Sequence, residues 1–141
     1  MVVRLNPRTG ELVPHDAPAG KSDLRGLGID AAENLWAAAT EVGKLLKVDG
    51  NTGMITELAP PTEDPGPYAV DVDTRGGFVW VSEIFTDRLA RFDSRGNTFT
   101  EFSLPSADAD VRRIEVDRTN PNRVWWAGTR SGKVGYIEVI P

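Results

Sequence analysis

Residues 68–105, YAVDVDTRGGFVWVSEIFTDRLARFDSRGNTFTEFSLP, hold four short apolar runs: YAVDVD, GGFVWVSEI, RLARFD and NTFTEFSLP. Val, Phe, Trp, Tyr and Thr fill the runs, and Gly, Asp, Ser or Asn stand at the breaks. β-Branched and aromatic side chains suit a pleated, half-buried surface, whereas the break residues supply the positive φ values and local hydrogen bonds of turns. The stretch predicts four successive antiparallel strands.

Working outward, the same phrase recurs on both sides. Trp36, Trp80 and Trp125 lie 44 and 45 residues apart, and Lys44, Arg88 and Lys133 keep those intervals. So do Asp49, Asp93 and Glu138, while Asp30, Asp73 and Asp117 follow at 43 and 44. A period of about 40 to 45 residues with four strands marks a β-propeller blade, a radial sheet buried on both faces by its neighbours. The expected fold class is all-β: a β-propeller of about three and a quarter four-stranded antiparallel blades, a partial ring or one completed by oligomerisation. Residues 1–25 supply the third and fourth strands of a first blade plus a linker, 26–67 a second blade, 68–111 a third, and 112–141 a three-stranded last blade. Asn6 aligns with Asp49 in this register, and Thr9 and Gly10 with Thr52 and Gly53. Segments 16–26, 60–67 and 105–110, rich in Pro, Gly and Asp, fall where one blade passes to the next.

With 141 residues, 40% hydrophobic and 26% charged, the chain is long enough for a core and too apolar for disorder. A net charge of -5 argues against a phosphate-binding surface, so no nucleic-acid partner is expected. The absence of cysteine removes disulfides, thiol nucleophiles and Cys-ligated zinc. No apolar run approaches the roughly 18 residues of a membrane span, and no membrane partner is expected. MVVRLNPRTG meets Arg4 after two apolar residues beyond Met1, so no signal peptide is expected and the compartment stays open.

Propellers close with about four blades or more, and only two of those expected here are complete. RVWWAGT (123–129) sets Trp125 and Trp126 on opposite faces of one strand, which then expects cover on both sides. Two completions are consistent with this. In the first, further blades precede the chain, which is then the C-terminal part of a longer propeller. In the second, a homodimer closes head to tail, the strand near residues 11–16 of one copy completing the last blade of the other.

The blade phrase resembles that of the streptogramin B lyase (virginiamycin B lyase) family and its NHL-type relatives. The residues that carry the likeness are Gly28, Ile29 and Asp30; Trp80, Val81, Ser82 and Glu83; Arg91, Phe92 and Asp93; and Thr100 to Pro105, TEFSLP. The ending, Val134 to Glu138, resembles the terminal blade of such proteins. The resemblance implies a closed propeller that opens a cyclic depsipeptide antibiotic by elimination, with a His base and Mg²⁺ held by carboxylates. The sequence departs from that pattern where the chemistry would sit. His15, the single histidine, aligns with Leu58 of a fourth strand, and Glu83 has Ala39 and Gly128 at its equivalent positions. No catalytic residue is assigned; no cofactor is evident, and Mg²⁺ enters only with the lyase reading.

Glu83, with Asp87 four residues on in the loop after the second strand, is the first ligand-binding candidate, because propeller ligands meet the loops at one channel end. The plainer reading is a solvated ion pair with Arg88. Tyr68 and Arg113, beside Arg112, begin first strands near the channel and suit an anion; solvent exposure is their alternative. The repeated tryptophans are expected to pack blade on blade. Asp30, Asp73 and Asp117 are expected to cap local backbone rather than hold a metal, and no metal site is assigned. One terminal His builds no Ser-His-Asp triad, and Gly26, Leu27 and Gly28 open a strand rather than a phosphate loop. The function expected is a scaffold for a small molecule at the channel end or for a protein. The alternative is a Mg-dependent C–O lyase or lactonase-like enzyme drawing catalytic residues from other blades or another subunit.

Overall fold

A computed structural model describes residues 1–16 and 23–140. These form four antiparallel sheets and, among the described residues, no helix. The first sheet is β1 (Val2–Leu5) and β2 (Leu12–His15). The second is β3 (Leu24–Ile29), β4 (Leu35–Ala39), β5 (Lys44–Val48) and β6 (Ile55–Leu58). The third is β7 (Pro67–Asp73), β8 (Phe78–Glu83), β9 (Arg88–Asp93) and β10 (Thr98–Ser103). The fourth is β11 (Val111–Val116), β12 (Arg123–Gly128) and β13 (Lys133–Glu138). Spatial order follows chain order in every sheet, so each is a meander.

The first strands begin ahead of expectation, at Leu24 rather than 26, Pro67 rather than 68 and Val111 rather than 112. β3 begins at Leu24 because Leu24 pairs with Ala39 on the far side of a bulge. β13 runs to Glu138, and the Val139 amide beyond it still donates to the Asn122 carbonyl at 2.8 Å, in register with the β12–β13 ladder. Of the expected linker 16–26, residues 17–22 lie outside the described residues.

The turns close by the chemistry of their first residue. Asn6 accepts the Arg8 amide at 3.0 Å, Asp49 the Thr52 amide at 2.8 Å and Asp93 the Arg95 amide at 2.9 Å, all in hairpins between third and fourth strands. Asp30, Asp73 and Asp117 do the same after the first strands, accepting the amides of Ala32, Arg75 and Thr119 at 2.9, 3.0 and 2.8 Å. These carboxylates cap backbone, the role that short polar side chains take in turns.

The core lies between sheets. Trp36 on β4 packs with Val70, Val72, Val79, Val81 and Phe92 of the third sheet. Trp80 on β8 packs with Ile114, Val116, Val124 and Trp126 of the fourth. The third repeated tryptophan departs from the expected packing role: Trp126 is buried, but Trp125 is 42% exposed, with no sheet among the described residues covering it. Along the centre β3, β7 and β11 run side by side. A side chain at Gly26 would strike the backbone of Tyr68 to Val70, so glycine sets how closely β3 and β7 approach.

Candidate site at the channel mouth

The innermost strands share one irregularity. Ladder register shifts between Leu24 and Leu27 on β3, between Pro67 and Val70 on β7, and between Val111 and Arg113 on β11. Arg25, Tyr68 and Arg112, 43 and 44 residues apart, stand in the three bulges. A bulge leaves one residue unpaired and re-aims its side chain, which is why bulges gather beside functional sites. Two residues ahead of each, the backbone takes positive φ: 38° at Asp23, 59° at Gly66 and 48° at Asp110.

The row is knit by charge and ring. Asp23 accepts from Arg25 Nε and Nη2 at 2.9 and 2.8 Å, and Asp110 accepts from Arg112 Nε at 3.0 Å. These hydrogen-bonded carboxylates raise the pKa of both guanidinium groups. Each arginine also faces Tyr68, with Arg25 at 5.6 Å and Arg112 at 5.2 Å from the ring centroid. Aromatic rings attract cations at such distances through their quadrupole. Arg25 is held at Nε and Nη2 and Arg112 at Nε, which fixes both guanidinium groups beside the ring.

This row heads an open trough of about 890 Å³ walled by β3, β7 and β11. Beyond it the wall mixes charge: Asp71, Arg75, Arg113, Glu115, Asp117 and Arg118. Arg113 is 78% exposed along its side chain and pairs with Glu115 at 3.5 Å. Asp117, accepting from Thr119, Trp125 and Asn120, is held far below the usual carboxylate range.

Of the residues singled out in the sequence, Tyr68 and Arg113 line the trough; Glu83 and Asp87 do not. The expectation of a solvated Glu83 ion pair is corrected. Glu83 ends β8 inside the sheet, opposite Pro67 and Arg88, and is 1% exposed. Arg88 forms its salt bridge with Glu101, at 3.5 Å. Thr62 supplies Glu101 with an amide at 2.9 Å and a hydroxyl at 2.6 Å, and its hydroxyl also accepts from Arg88. Glu83 Oε2 accepts from the Thr86 hydroxyl at 3.2 Å, and Oε1 is buried with no partner among the described residues. Burial first, and the charge of Glu101 second, push its pKa up to about 7. Asp87 is committed elsewhere: its oxygens accept the Asp108 and Ala109 amides, both at 2.7 Å, and pin the passage from third to fourth sheet.

His15 ends β2, and its ring fills the space beside Gly53 in the β5–β6 hairpin, away from the trough. Arg25 and Glu101 were not singled out in the sequence. The signal for Arg25 was available, since Arg25, Tyr68 and Arg112 keep the intervals of the Asp30 series. Glu101 had none, because its partner Thr62 belongs to an irregular segment. For the Mg²⁺ that the resemblance implies, the fit is poor. Among the described residues no three His, Cys, Asp or Glu side chains converge on one point.

Three meandering sheets whose innermost strands wall one trough, with tryptophans packed between successive sheets, and a β1–β2 hairpin define a β-propeller arc. No family model and no curated protein matches the sequence. Among solved structures, virginiamycin B lyase from Staphylococcus aureus is similar with a TM-score of 0.78 and 17% identity, over 99% of this chain and 48% of the lyase. A catalytically inactive variant of that lyase with quinupristin gives 0.80 and 19%, over 97% and 48%. A nidogen/laminin complex gives 0.74 and 15%, over 96% and 52%. The chain spans about half the length of the lyases it matches. The likeness at these identities is one of fold, shared by enzymes and binding proteins. Among the described residues no helix is long and apolar enough to cross a membrane.

Proposed function

We infer that this chain is a ligand-binding segment of a β-propeller and that it seats a small oxyanion at the channel mouth, on Arg25, Tyr68 and Arg112. The observation that carries the reading is the threefold bulge, which turns equivalent residues of three successive innermost strands toward one trough. Asp23 and Asp110 orient the guanidinium groups, and preorganised charged donors lose little on binding. Titration with benzoate and with inorganic phosphate, followed through arginine Nε resonances, tests it. Arg112→Ala is expected to weaken binding roughly tenfold, the worth of a charge-assisted hydrogen bond. Equal affinity of the wild type and the variant would reject the site.

A second reading is a lyase-like or lactonase-like enzyme completed by residues outside this chain. What favours it is Glu83, a buried carboxyl held near pKa 7, where a general acid or base works best. Mg²⁺-dependent opening of a type B streptogramin, lost in Glu83→Ala but kept in Arg112→Ala, would select this reading over the first.

A further inference from the structure

The contacts of the second sheet with the third and of the third with the fourth obey one rule. Trp36 of the second sheet is packed against Val70 and Val72 of β7, and Trp80 of the third against Ile114 and Val116 of β11. Each time, a tryptophan on a second strand meets an apolar pair, two residues apart, on the next innermost strand. One repeat before Val70 and Val72 stand Leu27 and Ile29, 60% and 62% exposed. One repeat after Trp80 stands Trp125, 42% exposed, with Tyr136 beside it at 51%. The chain carries both halves of a further copy of its own interface, unmated, at opposite ends of the arc.

Hydrogen-bonding capacity matches as well. Across the contact of third and fourth sheets, Asp71 Oδ2 accepts the Val116 amide at 2.7 Å. Glu115 occupies the place of Asp71 on β11, and Ile29 the place of Val116 on β3. A carboxylate at one end thus answers an amide at the other.

We propose that a second copy of this chain mates these halves head to tail, Trp125 of each copy covering Leu27 and Ile29 of its partner. Each copy contributes β3, β7 and β11, so the pair closes a ring of six innermost strands, within the range of about four to eight blades that propellers adopt. A heterologous contact of this kind ends in a ring when its rotation closes. The pair also has about the length of one lyase, of which a single chain covers 48%. β1 sits in the third-strand place beside β2 that the partner's β13 takes. Its four residues are largely exposed, so it yields to the six-residue β13. Closure turns the open trough into a channel and completes the wall around the Arg25, Tyr68 and Arg112 row.

Light scattering on the purified full chain is the test. The expected mass is about twice 15.4 kDa. Trp125→Glu and Ile29→Glu are each expected to give the single-chain mass with an unchanged far-ultraviolet spectrum. Mixing the two variants restores the doubled mass, since the mixed pair keeps one intact junction, a result that a merely sticky surface does not produce. Deleting residues 1–10 leaves the dimer intact or tightens it. A monomeric wild type overturns the proposal, whether it stays alone or pairs with blades from another polypeptide. So do a mass that grows past two copies with concentration, a dimeric Trp125→Glu, and loss of the dimer on removing β1. Should Ile29→Glu fail to fold, Trp125→Glu decides alone, because its side chain is exposed in the single chain. Anion binding by the monomer distinguishes failure here from failure of the channel-mouth site.

Discussion

Glu83 shows how a carboxylate in a loop-like phrase of sequence becomes a buried acid. In TRGGFVWVSEIFTDR the glutamate stands one residue before a turn, and nothing local distinguishes exposure from burial. The ladder decides it: pairing with Pro67 on one side and Arg88 on the other puts Glu83 inside the third sheet. Its folded-state pKa of about 7 lies above the ordinary 4.5. Between those values the folded protein binds more protons than the unfolded one, so this group makes stability fall as pH rises through that window. A shift of that size sets a ceiling of about 3 kcal/mol. Denaturant unfolding from below pH 4.5 to above pH 7 should show the decline. Glu83→Gln should flatten it and equal or exceed the wild type at the alkaline end; an unchanged slope would place the titrating group elsewhere. Tyr68 and the neighbouring Arg112 and Arg113 were legible as channel residues from their places at the start of first strands, whereas the meeting of Arg25 and Arg112 at the Tyr68 ring was not. That arrangement joins three strands, each one repeat from the next.

For the elements, alternation and turn chemistry carried most of the information. The strand sequence followed from apolar runs broken by Asp, Asn and Gly, because these effects act within a few residues. The bulges were invisible to that reasoning, since a one-residue shift in pairing belongs to two strands together. Close packing of β3 on β7 likewise belongs to two strands together. A methyl group at Gly26 would meet the Tyr68 carbonyl oxygen and the Val70 amide, backbone atoms that cannot rotate away. At Gly28 it would meet the Val72 and Val70 methyls at 2.8 and 3.3 Å. Gly26→Ala is therefore expected to cost about 1–3 kcal/mol and Gly28→Ala less, by thermal unfolding. The reverse order would mean that β3 and β7 do not approach as described.

At the scale of the whole molecule, stability resides in contacts between sheets. Trp36 is 1% exposed within the second-to-third contact, whereas Trp125 is 42% exposed on the last sheet. Trp36→Ala should cost about 3–5 kcal/mol, the usual range for a buried aromatic. Trp125→Ala should cost far less in dilute, monomeric protein, and under the proposed head-to-tail pairing its cost should grow with protein concentration. A Trp125→Ala loss equal to that of Trp36→Ala at every dilution would contradict the exposed placement. By itself, the sequence determined the strands, the turns, the repeat and hence the propeller. Residue alternation, turn propensity and a period of about 44 residues all act along the chain. Tertiary structure alone decided which carboxylate is buried, which tryptophan lacks a cover, and which residues meet at the channel mouth. Each of those outcomes is set by desolvation and contact between residues a full repeat apart, and no local pattern records them.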